Sequence, residues 1–120
     1  MTGCFDALGL EINPAAVEHC RRRHLNVSTD RVETLEREFD AIVAFEVLEH
    51  LAQPRELLAH ITRRLAPGGS LIFAVPNPES YLREFDHVLL DMPPHHATRW
   101  NRQTFEYLSR EFRLQLVGIA

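Results

Sequence analysis

The chain has 120 residues, 45% of them hydrophobic and 25% charged, with a net charge of −4 and a pI near 5.9. That length suits one domain rather than two. Such a domain buries roughly 65% of its unfolded surface, which is enough for a modest core and excludes a disordered chain. The acidic balance argues against a general nucleic-acid binder, and no run of about 18 apolar residues is present to span a membrane.

The opening MTGCFDALGL has no basic region of the signal-peptide kind. Cys4 and Cys20 lack metal-ligand spacing and read as reduced residues of a cytoplasmic protein. CFDALGLEI (4–12) has strand character and ends at an acid, Glu11. Asn13 and Pro14 then form a helix start, and that helix should run to about Arg23 with three arginines at its carboxyl end. LNVS (25–28) reads as a short strand, and DRVETLEREF as a loop or helical turn.

FDAIVAF (39–45) is apolar almost throughout, the pattern of a strand covered on both faces. The segment 53–69 is expected to be helical, opened by Pro54 and stopped by Gly68-Gly69, with Leu57, Leu58, Ile61 and Leu65 on one face. SLIFAV (70–75) is a second buried strand, halted by Pro76-Asn77-Pro78. Residues 79–90 are expected to be helical and 91–100 to be a loop. Asn101 caps a last helix with Phe105, Leu108 and Phe112 inward, and LQLVGI (114–119) closes as a strand.

This alternation predicts an α/β domain with a mostly parallel sheet, in which ligands gather at the carboxyl ends of strands. Glu11, Glu46 and Asn77 all fall at such ends. A carboxylate at the position of Glu11 can accept both hydroxyls of a ribose, or it can simply favour a helix N-terminus. The acids and imidazole of Glu46, Glu49 and His50 stand at i, i+3 and i+4, sharing one face if the chain turns helical there. They can hold a divalent ion, supply a general base in His50, or complement a helix N-terminus. His95 and His96 follow Pro93-Pro94 in a loop suited to substrate contacts. Trp100 and Tyr81 suit either an acceptor pocket or the core. Arg99 and Arg102 suit an anionic acceptor or solvent, and His19, His24, His60 and His87 carry no specific signal.

GLEINPAAVEHC, FDAIVAFEVLEHLAQPRELLAHITRRLAPGGSLIFAVPN and PPHHATRWNRQTFEYL together resemble successive motifs of the class I S-adenosylmethionine-dependent methyltransferases, over nearly the whole chain. The resemblance implies a Rossmann-like, three-layer αβα sheet of strand order 3-2-1-4-5-7-6, here incomplete. It assigns Glu11 to the cofactor ribose, Ile12 to the adenine, and Phe45 and Glu46 to the methionine end. Relatives acting on ubiquinone precursors and on small RNAs carry an ExxEH motif that binds a divalent metal. By that likeness Glu46, Glu49, His50 and His96 would form an O,O,N,N site for an ion such as Mg2+, with His96 four residues before Trp100.

The family's glycine-rich loop after the first strand has no counterpart, because the glycines are Gly3, Gly9, Gly68, Gly69 and Gly118. The expectation is therefore a single partial methyltransferase domain over 1–120, lacking the first strand and helix, and binding S-adenosylmethionine weakly or not at all by itself. His50 and Glu46 would be its catalytic proton acceptors, and His95, His96 and Trp100 its substrate contacts. The acceptor is a small molecule first and RNA second. The rival expectation is a non-catalytic module on the same scaffold, associating with itself or a partner through exposed strand edges.

Overall fold

The computed structural model describes residues 5–77 and 93–119, and the helix expected over 79–90, with Tyr81 and His87, lies outside them. The chain divides into two compact units, residues 1–37 and 38–120. Each is a strand–helix–strand unit with parallel pairing, the mixed α/β pattern of a partial Rossmann-like fold.

In the first unit, β1 (Gly9–Leu10) pairs with β2 (Val27–Ser28). The strand expected over 4–12 is thus reduced to two residues, and the ladder continues only through Glu11 N–H to Ser28 O at 3.0 Å. Between the strands runs α1 (Pro14–Arg22). Its start follows from chemistry: Asn13 Oδ1 accepts from Ala15 N–H at 3.0 Å, and Pro14 fits the first helical position. Val17 anchors it, 2% exposed. Residues Val32–Thr34 form a 3₁₀ turn, within the stretch expected to be loop or helical turn.

In the second unit, β3 (Phe39–Phe45) pairs with β4 (Leu65–Ala74), and α2 (Pro54–Arg63) connects them. The helix stops six residues before Gly69, where the sequence pattern had placed its end. Arg64 closes it, and Leu65 already pairs with Phe39. The Pro-Gly-Gly then forms a bulge inside β4, since the register jumps from Phe39↔Leu65 to Ala41↔Ser70. Both glycines have a reason there. Gly68 has φ +79°, and a Cβ on Gly69 would lie 2.9 Å from Ala66 O and 3.0 Å from Asp40 O.

The core of this unit is Leu48, Leu58, Ile61 and Trp100, each at most 4% exposed. Leu58 and Ile61 share the inner face of α2, and Trp100 packs on Phe105 of α3 (Arg102–Glu111) with ring centroids 5.6 Å apart. Asn101 caps α3, its Oδ1 accepting from Thr104 N–H at 3.0 Å. Arg55, in the first turn of α2, pairs with Glu111, the last residue of α3, and Tyr107 donates to the same carboxylate.

Besides the helix end, three expectations fail in this unit. SLIFAV (70–75) forms the end of β4 through Ala74 but is not a buried strand, since none of the residues of β4 is buried and Ile72 is 48% exposed. The strand 39–45 is not covered on both faces: Val43 and Phe45 are 55% and 58% exposed while Phe39, Ile42 and Ala44 are half-buried, so one row of its apolar side chains is open. Residues 114–119 form no strand among the described residues, because no partner strand offers them a ladder. No described helix is long and apolar enough to cross a membrane.

Candidate active site

The site grows from the carboxyl end of β3. Glu46 N–H donates to Ala74 O at 2.9 Å, one last ladder bond, and the backbone then breaks with Glu46 at φ +53°. A non-glycine residue in the left-handed region costs about 1–2 kcal/mol and is found where the surrounding structure imposes it. The chain does not enter an α-helix here. Leu48–His50 form a single 3₁₀ turn, with His50 N–H donating to Val47 O and Leu51 N–H to Leu48 O. The helical face expected for Glu46, Glu49 and His50 is therefore absent, and other elements gather the groups.

Leu48 is fully buried and pulls the turn inward, and Glu49 goes with it at 1% exposure. Neither carboxylate oxygen of Glu49 has a hydrogen-bond partner among the described residues. Residues 95–98 cross over this turn. Ala97 N–H and Thr98 N–H both donate to Glu49 O, at 2.7 and 3.1 Å, and the Thr98 hydroxyl donates to Leu48 O at 3.0 Å. Thr98 Oγ1 in turn accepts from Trp100 Nε1–H at 2.9 Å.

That crossing brings His96 to His50, with ring centroids 4.9 Å apart at 71°. Donor atoms of Glu49, His50 and His96 all lie within 4.8 Å of one another, close enough for one ion to reach all three. The carboxylate is the buried end of this trio and His50 the exposed end. His50 Nδ1 stands 2.7 Å from the His95 carbonyl oxygen. A carbonyl only accepts, so in the neutral ring Nδ1 carries the proton and Nε2 is the lone pair.

Glu46 lies beside this trio. Its carboxyl is raised above the ordinary glutamate range, first by partial desolvation, then by the Glu49 carboxylate as hydrogen-bond acceptor and as like charge. The nearby His96 and His50 pull it down by less. Two ionised carboxylates have no proton to share, so Glu49 gains a hydrogen-bond donor from Glu46 only when Glu46 is protonated, and a bound cation would pair its charge instead.

The remaining expected site residues stand elsewhere. In the first unit, Glu11 Oε1 accepts from Asn13 N–H at 2.8 Å, just ahead of α1, and Ile12 is 89% exposed. Phe45 presents an open ring at the end of β3. The His95 side chain is exposed, and its contribution to the trio is its backbone carbonyl. Trp100 is 4% exposed, a core residue that also lines a cleft of about 680 Å³ with Leu71, Phe73, Asn77 and Phe105. None of Glu46, Glu49, His50 and His96 is among the described residues lining that cleft, so this cleft and the chemically distinctive cluster are separate features of this unit. Sequence reasoning missed Thr98, since a lone threonine in a loop has neither periodicity nor charge to mark it.

The parallel strand–helix–strand units are the α/β pattern of a partial Rossmann-like fold. Residues 2–118 match the family described as "Methyltransferase domain", and the chain belongs to that family of S-adenosylmethionine-dependent enzymes. Among curated proteins it is similar to the ubiquinone biosynthesis O-methyltransferase of Methylococcus capsulatus, 33% identical over 82 residues, covering 60% of this chain and 35% of that protein. It is also similar to the ubiquinone biosynthesis O-methyltransferase of Alkalilimnicola ehrlichii, 32% identical over 89 residues, covering 64% and 36% respectively. The chain thus spans about a third of the length of these relatives. No solved structure matches it with comparable significance.

Proposed function

We propose that this chain is a partial methyltransferase domain, residues 1–120, whose reaction is methyl transfer from S-adenosylmethionine to a hydroxyl of a small organic acceptor. The hydroxyl acceptor follows the O-methyltransferase names of its relatives, and the setting is the cytoplasm, in keeping with an unpaired Cys20. The observation that carries the site is Glu49: a buried carboxylate that has no hydrogen-bond donor among the described residues while Glu46 is ionised, flanked by two imidazoles. A buried unpaired charge is costly, and a cation removes that cost.

Glu49, His50 and His96 would hold that cation, with Glu46 beside them. A bound divalent ion supplies a Lewis acid that makes an acceptor hydroxyl more acidic. One carboxylate with two imidazoles suits Mn2+ or Zn2+ better than Mg2+, which prefers an all-oxygen shell. S-adenosylmethionine supplies a sulfonium methyl group that needs alignment more than activation. Glu11 is suited to its ribose hydroxyls, and Ile12, Phe45 and Glu46 to its adenine and methionine ends. With an ion held through His50 Nε2, the acceptor proton would pass to the Glu46 carboxylate, whose raised affinity for a proton suits a base; in the ion-free cluster His50 Nε2 is the free lone pair for that role. His95, His96 and Trp100 belong to the acceptor side.

Residues 1–120 contain no glycine-rich turn to receive the cofactor's methionine carboxylate closely, so affinity for S-adenosylmethionine by this chain alone should be weak. Calorimetry with S-adenosylmethionine tests this, and a dissociation constant in the low micromolar range would contradict it. Mass spectrometry of catechol and phenol acceptors incubated with the chain, S-adenosylmethionine and Mn2+ or Zn2+ tests the reaction. Methylated product that disappears in Glu49→Ala supports the reading. Product formed equally by Glu49→Ala and by Glu46→Ala/His50→Ala would remove the site from it.

A further inference from the structure

Glu49 and His50 are held by a turn too short to fix them by itself. A single 3₁₀ turn contributes two internal hydrogen bonds, His50 to Val47 and Leu51 to Leu48. Among the described residues, every other hydrogen bond to its backbone carbonyls comes from one place. Glu49 O receives Ala97 N–H and Thr98 N–H, and Leu48 O receives the Thr98 hydroxyl. The same stretch supplies His95 O to the His50 ring. Thr98 is the member of this set with three attachments. Its backbone N–H and its hydroxyl each donate to the turn, and its oxygen accepts from the indole of Trp100, which is rooted in the core.

We propose that Thr98 is a positioning residue, tying the buried turn Leu48–His50 to Trp100 so that His95 O fixes the His50 ring with Nε2 unprotonated and His96 is delivered beside it. The proposal deepens the functional reading above, because it concerns the same imidazoles, but its test is independent of bound ions and of turnover. In free histidine the neutral ring favours the proton on Nε2, so a ring held with the proton on Nδ1 reports the contact to His95 O. Removing the Thr98 hydroxyl loosens residues 95–98 from the turn and returns His50 toward the free-ring tautomer. An imidazole whose orienting partner is lost also binds metal roughly 10–100-fold more weakly.

The experiment is long-range ¹H–¹⁵N spectroscopy of the histidine rings in the unmutated chain, Thr98→Val and Thr98→Ser, at a pH of about 8.5 where free imidazole is neutral. Mn2+ and Zn2+ titrations by calorimetry run alongside. The expected result is an Nδ1–H ring at His50 in the unmutated chain and in Thr98→Ser. In Thr98→Val, folded by its amide spectrum, the Nε2–H form grows and affinity for the ions falls 10–100-fold. A folded Thr98→Val with the unmutated tautomer at His50 overturns the proposal. If no variant, the unmutated chain included, binds either ion, the metal reading fails while the tautomer still judges Thr98. If Thr98→Val does not fold, the unmutated chain decides: fast exchange of the Ala97 and Thr98 amides, or an Nε2–H ring at His50, overturns the proposal.

Discussion

Glu49 shows how one residue can be a liability for folding and an asset for binding. Replacing it with methionine keeps the volume and removes the buried charge, so Glu49→Met should stabilise the ion-free chain by roughly 1–4 kcal/mol in denaturant melts. The same variant should lose any stabilisation by Mn2+ or Zn2+. An unchanged or lowered midpoint in the ion-free chain would mean the carboxylate already has a counter-charge. Glu46 carries a related signature in pH. Its carboxyl holds its proton more tightly in the folded chain, so its contribution to stability is fully present below the ordinary glutamate range and is lost as pH rises through the higher folded value. Glu46→Gln should flatten that slope, read as the difference between midpoints measured across the carboxylate range. Neither property is visible in the letters. EVLEH states that two acids and an imidazole are close in sequence, but burial of the second acid depends on Leu48 drawing the turn inward.

At the level of elements, local chemistry was legible and pairing was not. Asn13-Pro14 and Asn101 open helices as their side chains require, and FDAIVAF is the strand it reads as, because capping and β-branched runs act within a few residues. The end of α2 departs from its local pattern, at Arg63 rather than at the glycines. Gly68-Gly69 resembles a helix stop, yet its glycines serve a bulge opposite Asp40, a long-range contact with no local signal. The two glycines should separate under substitution. Gly68→Ala meets open space and should cost about 1–2 kcal/mol through its positive φ alone. Gly69→Ala drives a Cβ against two backbone oxygens and should cost more than Gly68→Ala in the same melts. Equal costs would mean the β3–β4 bulge relaxes freely.

Across the whole chain, the two units differ in how much they bury. Among the described residues, Val17 is the buried hydrophobic anchor of residues 1–37, while Leu48, Leu58, Ile61 and Trp100 serve residues 38–120. Local opening follows the buried apolar surface that holds an element closed. Amide exchange should therefore be faster through β1, α1 and β2 than through β3, α2 and β4. A uniform rate across both sets would show one cooperative unit instead. Among the described residues, the sheet expected from the sequence pattern is present as two parallel pairs, β1 with β2 and β3 with β4, which the alternation of strands and helices could announce but could not count.

The ion pair between Arg55 and Glu111 has each charge at the helix end that disfavours it: a guanidinium at the positive start of α2 and a carboxylate at the negative finish of α3. Exchanging the two, Arg55→Glu with Glu111→Arg, would keep the attraction and turn both dipoles from opponents into supporters. The swapped chain should therefore melt higher than the original, whereas either exchange alone sets like charges face to face and should melt lower.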